Sequence, residues 1–187
     1  MSNRSRTSES KVETKLLIYP IVKLGNPVLE TEAADVTEFD TPELHKLIED
    51  MFESMYAAKG VGLAAPQIGI SRKIAVIDIS VGENPDDKLV IINPKIIHKE
   101  GKQSGEEGCL SIPGFREQVS RAKRTIVQAQ DVNGELFEKT SEDLLARAFQ
   151  HEIDHLHGKL YIKHISALKR DLIKRKVRKL AKAGEWA

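Results

Sequence analysis

One stretch of the sequence, QHEIDHLHG at residues 150–158, constrains the fold more than any other. It holds three of the chain's six histidines together with two carboxylates. The pattern predicts the last turns of a helix. Thr140 or Ser141 suits the capping position before such a helix, and Gly158 suits the position after its end. A helix over this segment fixes which polar side chains share a face.

The predicted helix directs polar groups toward the interior. At about 100° per residue, Glu152 falls in the middle of an apolar stripe, and His151 and His155 lie along its edge. The stripe is formed by Leu145, Phe149 and Leu156. The side chains predicted to point the other way are Gln150, Asp154 and His157. Because an unpaired buried carboxylate is costly, this placement predicts a charge partner, a metal ion or a raised pKa for Glu152.

The His-Glu-x-x-His spacing favours a metal. Two histidines at i and i+4 on one helix face can hold a divalent ion, and the glutamate beside the first can act as a general base on metal-bound water. The alternative is a pair of core histidines bonded to the backbone, with Glu152 in a salt bridge. The capped amphipathic helix favours the metal interpretation.

A catalytic site of this type takes three protein ligands and an open position. The run from His151 to Gly158 matches the start of the metzincin signature, but Tyr161 stands where that signature has its third histidine. His164 comes three residues later, and the tail has no glutamate before Glu185. Upstream, Cys109 in EEGCLSIPG offers a thiolate. A cysteine with two histidines can hold Zn or Fe(II), whereas the alternative is an inert buried thiol.

The rest of the chain predicts alternating helix and strand. Residues 40–59 predict a helix capped by Asp40 or Thr41 and ended by Gly60, with one apolar stripe. Strands are predicted from Lys73 and from Leu89, a loop over 101–114, and a hairpin over 125–140 that turns at Asn133 and Gly134. The sequence therefore predicts an α+β fold of mostly antiparallel β-sheets around a central HExxH helix, with a C-terminal helix.

Length and charge suggest one domain with a basic end. A chain of 187 residues has the size of one domain. We expect a disordered extension over residues 1–15 and a single catalytic domain over residues 16–187. Eight lysines or arginines face one acid, Asp171, between Lys169 and Lys182, although the net charge of the whole chain is only +1. The pattern predicts a basic C-terminal helix from about residue 166, with Ile173, Val177 and Leu180 on its apolar stripe.

Composition also bears on location. No apolar run approaches the ~20 residues that a membrane span needs, and the first ten residues lack the apolar stretch of a secretory signal. A single cysteine fits a reducing compartment. We therefore expect a cytoplasmic protein with no membrane contact. An organellar location is less favoured, because Glu9 and Glu13 are atypical of a transit segment.

Three motifs together resemble the signatures of the peptide deformylase family. They are GVGLAAPQ at 60–67, EGCLS at 107–111 and QHEIDHLHG at 150–158, in the family's order and at compatible spacings. The resemblance extends from about Leu17 to Leu180. It implies a metallohydrolase that removes the N-formyl group from the initiator formyl-methionine of nascent polypeptides and releases formate.

The resemblance also implies roles for individual residues. Glu152 would activate a metal-bound water, Gln67 and the Leu110 backbone N–H would bind the formyl oxygen, and Gly62 would bind the substrate backbone. The implied metal ligands are Cys109, His151 and His155. The implied metal is one divalent ion, with Fe(II) expected and Zn, Ni or Co as substitutes. Arg116 is a candidate substrate contact, with an ordinary surface arginine as the alternative.

The resemblance and the basic C-terminal helix together indicate the partners of this protein. The nascent formylmethionyl peptide is the implied substrate. Because the resemblance implies an enzyme that acts on nascent chains, we expect the basic C-terminal helix to dock onto ribosomal RNA and not onto DNA. A merely solvated basic face is the alternative. Two other classes stay open on residues alone: another metallohydrolase such as a protease, and a non-enzymatic protein with a structural or redox-sensing site.

Overall fold

The computed structural model describes residues 16–186. The predicted extension over residues 1–15 lies outside the described residues. Three α-helices and seven strands form this part of the chain, joined by short 3-10 turns. In chain order they are α1 (Pro42–Ala57), β1 (Gly62–Ala64), β2 (Ile74–Ile77), β3 (Leu89–Glu100), β4 (Gln103–Gly108), β5 (Arg116–Arg121), β6 (Arg124–Gln130), β7 (Leu136–Glu142), α2 (Asp143–Leu156) and α3 (Ala167–Lys182).

The strands form two antiparallel sheets. The larger sheet has the order β1-β2-β3-β6-β7, and β4 pairs with β5 in a separate ribbon. The predicted hairpin is present, since Gln130 pairs with Leu136 across the turn that contains Asn133 and Gly134. The α+β, mostly antiparallel prediction is therefore confirmed.

Helices cover both faces of the larger sheet. Strand β2 is buried at every position, and its residues alternate between the two faces. Ile74 and Val76 belong to the apolar cluster that contains the α1 stripe. Ala75 and Ile77 belong to the cluster that contains Phe149 of α2. The sheet thus lies between α1 and α2, and α2 is central, as predicted.

The C-terminal helix packs on a third apolar cluster. The Ser166 hydroxyl caps α3 by accepting a hydrogen bond from the Lys169 backbone. Ile173 and Val177 are buried, and Leu180 is half-buried on the same stripe. Their partners include Leu24, Ile112, Val119 and Tyr161. Within residues 16–186, no helix has the length and apolar character needed to cross a bilayer.

Several local expectations were wrong. Ser141 does not cap α2, because it belongs to β7 and its hydroxyl bonds with the Thr125 hydroxyl on β6. Glu142 occupies the capping position without a side-chain hydrogen bond. Helix α1 ends before Gly60, because Lys59 adopts a left-handed conformation with φ 57°. The predicted loop over 101–114 contains β4, which pairs with β5.

The outward face of α2 was also predicted incorrectly. Gln150 is buried at 4% exposure, and its amide bonds with both the N–H and the carbonyl of Ala122. Asp154 lies against Arg121 on β5. These side chains face β5 and the start of β6 rather than solvent, because the β4–β5 ribbon covers this side of the helix. Of the three residues predicted to face outward, His157 is the exposed one.

Candidate metal centre and substrate cleft

Three of the predicted site residues meet at one point. His151 and His155 lie one turn apart on α2, and Cys109 follows the end of β4. The Cys109 Sγ atom is 3.3 Å from His155 Nε2, which is 3.3 Å from His151 Nε2. One ligand atom from each residue falls within 4.8 Å of the others. The geometry therefore brings together the cysteine and both histidines.

The donor set fits a divalent metal. A tetrahedral ion with bonds of about 2.0 to 2.3 Å holds its ligands roughly 3.4 to 3.6 Å apart, close to the 3.3 Å that separates His155 Nε2 from both Cys109 Sγ and His151 Nε2. Imidazole nitrogens and a thiolate suit Zn and Fe(II). The two Nε2 atoms face each other, an arrangement that a shared ion would stabilise.

Glu152 lies beside these ligands and is buried. It is 3% exposed, and its Oε2 atom has no hydrogen-bond partner among the described residues. Burial raises the pKa of Glu152, and the charges of His151 and His155 oppose that effect without reversing it. A buried carboxyl group with an open oxygen and a raised pKa can exchange a proton with a bound molecule.

Gly62 on β1 makes room for this carboxylate. A Cβ atom placed on Gly62 would lie 2.3 Å from Glu152 Oε1. No side chain fits that distance, so the Glu152 position requires glycine here. In the sequence, Gly62 is one glycine of a glycine-rich segment, and only the fold shows that it lies against Glu152.

Gln67 and Leu110 line the same cleft. Gln67 is buried in the 3-10 turn after β1, and its Oε1 accepts a hydrogen bond from the Ala64 backbone at 2.9 Å. Its Nε2 donates toward Ser111 Oγ at 3.3 Å and Cys109 Sγ at 3.5 Å. The amide nitrogen therefore faces the ligand cluster. Leu110 follows Cys109 directly and is half-buried.

The cleft itself is a cavity of about 610 Å³. Gly62, Gln67, Cys109, Leu110, His151 and Glu152 line it, together with Phe115 and Arg116. Arg116 is exposed, and its Nε donates to Glu106 Oε1 at 2.6 Å. Leu144 on α2 also lines the cavity, whereas Ala148 on the same helix packs in the core. All eight predicted site residues are brought together, His155 among them through its contact with Cys109.

Sequence reasoning missed an ionic network behind His151. Glu107 is buried, and its Oε1 lies 3.7 Å from His151 Nδ1. Burial alone would raise the pKa of Glu107, but hydrogen bonds and charges from His151 and Arg121 hold it at about 2. Arg121 also pairs with Asp154 on α2. The EGCLS motif contained Glu107, but nothing in the sequence linked it to an arginine on β5.

Comparisons with known proteins agree on one family. A profile of the polypeptide deformylase family matches residues 18–171. A curated peptide deformylase from Acidobacterium capsulatum is 61% identical over 91% of this chain and all of its own length. Another, from Alkalilimnicola ehrlichii, is 45% identical over 90% of this chain and 91% of its own.

Solved structures give the same result. A peptide deformylase from Legionella pneumophila superposes with a TM-score of 0.82 at 46% identity, over 89% of this chain and 97% of that one. One from Synechococcus elongatus, solved in complex with actinonin, has a TM-score of 0.79 at 38% identity, over 89% of this chain and 88% of its own. With this agreement in sequence and fold, the chain belongs to the polypeptide deformylase family, the enzymes that remove the N-formyl group from nascent peptides.

Proposed function

We propose that this chain hydrolyses the formyl amide of formylmethionyl peptides, using one divalent metal ion held by Cys109, His151 and His155. The observation that carries the proposal is the buried carboxyl group of Glu152 beside that ligand cluster, in a cleft that Gln67 also lines. These groups supply a metal site, an acid/base and an amide donor within one cavity.

Held by Cys109, His151 and His155, the ion would supply Lewis-acid chemistry, which would lower the pKa of a water in the site and polarise the formyl group. We expect Fe(II) to be the working ion, with Zn, Ni or Co as substitutes. The side chains at the two downstream positions, 161 and 164, have other partners. Tyr161 donates to the Phe115 carbonyl, and His164 is engaged by Asp154.

Glu152 moves the protons. Its carboxylate accepts a proton from the attacking water and then delivers it to the departing amine. A pKa raised by burial suits both steps, because the group must hold the proton between them. Gly62 preserves the space in which the carboxyl group does this.

Gln67 and Leu110 stabilise the charge that develops on the formyl oxygen. The Gln67 Nε2 and the Leu110 backbone N–H donate to that oxygen, and one such donor is typically worth a factor of about 10² to 10³ in rate. The Ala64 backbone fixes the Gln67 amide by bonding its oxygen. The nitrogen is thereby left to face the cleft.

The peptide backbone binds along β1. Among the described strands, β1 is at the edge of its sheet and pairs only with β2, so its other edge can add an extended peptide. Gly62 lies on this strand and lines the cleft, and Arg116 at the rim contacts the residues that follow methionine. Residues 16–187 would then act as a single catalytic domain in the cytoplasm.

Formate release tests the proposal. Anaerobically prepared, Fe(II)-loaded protein is given formyl-Met-Ala-Ser, with acetyl-Met-Ala-Ser as the matched control and chelated protein alongside. We expect rapid formate release that chelation abolishes, with little action on the acetyl peptide. Cleavage of internal bonds in an unformylated peptide would instead indicate a protease.

We further propose that α3 docks onto ribosomal RNA. Its buried stripe leaves the cations Arg175, Arg178 and Lys179 exposed and without a protein partner among the described residues. Changing these three residues to glutamate should reduce co-sedimentation with ribosomes. High salt should likewise reduce the co-sedimentation of the unchanged protein. Undiminished co-sedimentation of the triple variant would contradict docking through this helix.

A further inference from the structure

Phe115 belongs to two parts of the molecule at once. It lines the substrate cleft, and it packs in the apolar cluster beneath α3. It lies at the end of the turn that follows Cys109 and Leu110, just before β5. A displacement of the Phe115 ring would therefore alter the wall of the cleft.

Trp186, beyond the end of α3, contacts Phe115 directly. The two ring centroids are 6.2 Å apart with an interplanar angle of 71°, an edge-to-face pair. Gly184, with φ 73°, ends the helix and turns the chain so that Trp186 returns to the body of the protein. The Trp186 Nε1 donates to the Leu24 carbonyl at 3.0 Å.

Leu24 connects Trp186 to the turn that lines the cleft. The Leu24 N–H donates to the Ser111 carbonyl at 2.9 Å, and Ser111 is next to Leu110. Lys176 on α3 places its Nζ 5.4 Å from the Phe115 ring centroid. The C-terminal segment thus meets the turn of residues 111–115 at its beginning through Leu24 and at its end through Phe115.

We infer that Trp186 is a positioning residue for the substrate cleft: its ring holds Phe115 in place as the wall against which the bound peptide lies. The inference rests on the proposed function, because it assumes that formylated peptides occupy this cleft. Among the described residues, Trp186 makes no hydrogen bond or ring contact with the metal ligands or with Glu152. It should therefore affect peptide binding and leave the chemical step unchanged.

The chain has a single tryptophan, so intrinsic fluorescence reports on Trp186 alone. The Zn-loaded Glu152→Gln variant, expected to bind peptide without turning it over, is titrated with formyl-Met-Ala-Ser. Calorimetry measures binding in parallel. We expect Trp186 emission to change along the calorimetric binding curve, and we expect the change to be largely lost in a Glu152→Gln, Phe115→Leu double variant at saturating peptide.

The two methods separate the possible failures. Binding by calorimetry without an emission change would overturn this inference alone. A double variant that binds peptide and keeps the full emission change would also overturn it, since Phe115 would then not be the link. An absence of binding would overturn the proposed function, and the inference with it.

Kinetics give a second test. Trp186→Ala should raise KM for formyl-Met-Ala-Ser by about two- to tenfold, the range expected for loss of one aromatic pair, with kcat unchanged. Trp186→Phe should restore most of the affinity because it keeps an aromatic ring. Leu172→Ala, at an exposed position on α3, is the matched control. An unchanged KM in Trp186→Ala, or a loss in kcat alone, would overturn the inference.

Discussion

The guanidinium of Arg121 forms a two-pronged ion pair with the carboxylate of Glu107. The Nε–Oε1 distance is 3.2 Å and the Nη2–Oε2 distance is 3.0 Å, with both side chains buried. The same Oε1 lies 3.7 Å from His151 Nδ1, while the His151 Nε2 atom faces His155. A carboxylate in this position orients the imidazole so that its Nε2 faces the ligand cluster.

Removal of Arg121 should destabilise the fold. Arg121→Met leaves the buried Glu107 and the half-buried Asp154 without their shared cation, and breaking a buried pair in this way costs about 3 to 5 kcal/mol. Urea unfolding of the chelated protein measures the loss. Arg124→Met is the matched control, because its ion pairs with Glu100 and Glu142 are exposed and worth at most about 1 kcal/mol. Equal effects of the two changes would contradict the buried network.

Gly62→Ala should impair catalysis more than stability. The added Cβ would displace the Glu152 carboxylate, which lies 2.3 Å from that position. We expect formate release to fall by at least about tenfold with metal content unchanged. In a Glu152→Ala background, Gly62→Ala should reduce formate release little further, because there is no carboxylate for the added Cβ to displace. Full additivity would show that Gly62 acts through some other contact.

Stability at acid pH should depend on Asp78 at the end of β2. This buried carboxylate accepts hydrogen bonds from Tyr56, from the Ser80 hydroxyl and backbone, and from the Gly82 backbone. Burial would raise the pKa of Asp78, but these hydrogen bonds outweigh burial and lower it. A lowered folded-state pKa gives stability that is present above the unfolded-state value, about 4, and is lost as the pH falls through the folded-state value.

Asp78→Asn should therefore lower the free energy of unfolding at pH 7 by about 1 to 3 kcal/mol. It should also flatten the decline in stability below pH ~4 relative to the unchanged protein. Urea midpoints across this pH range provide the measurement. Asp86→Asn, at an exposed position in the 3-10 turn before β3, serves as the control. Parallel pH profiles for Asp78→Asn and the unchanged protein would rule out this role.

Cys109→Ser should reduce metal occupancy. A serine oxygen is a harder and less readily ionised donor than a thiolate, so the site loses affinity for Fe(II) and Zn. Elemental analysis after dialysis measures the loss. Gln67→Ala, which removes a neighbouring amide but no ligand, should keep its metal. Full occupancy in Cys109→Ser would count against the thiolate as a ligand.

Helical periodicity was enough to predict that the apolar face of α2 is buried. The position of Glu152 on α2 follows from helical spacing alone, and its burial confirms the stripe. The start of α2 could not be read in this way, because Ser141 suits a helix cap and also a strand. Pairing of β7 with β6 decided between the two.

Long-range pairing explains the other misses. The segment of β4, QSGEEG, has no apolar alternation and is a strand only because β5 lies beside it. Gln150 is polar and was predicted to face solvent, yet Ala122 offers both a backbone donor and an acceptor at the same place. The contact between Trp186 and Phe115 joins residues 71 apart in sequence, and no local pattern indicated it.

The central claim is that Glu152 moves protons beside a metal held by Cys109, His151 and His155. The most direct test compares Glu152→Gln with the unchanged protein, measuring metal content and formate release on the same Fe(II)-loaded samples. We predict equal metal content and a turnover lower by at least ~10², the scale of lost acid/base catalysis. Near-normal turnover with metal bound would contradict the role of Glu152.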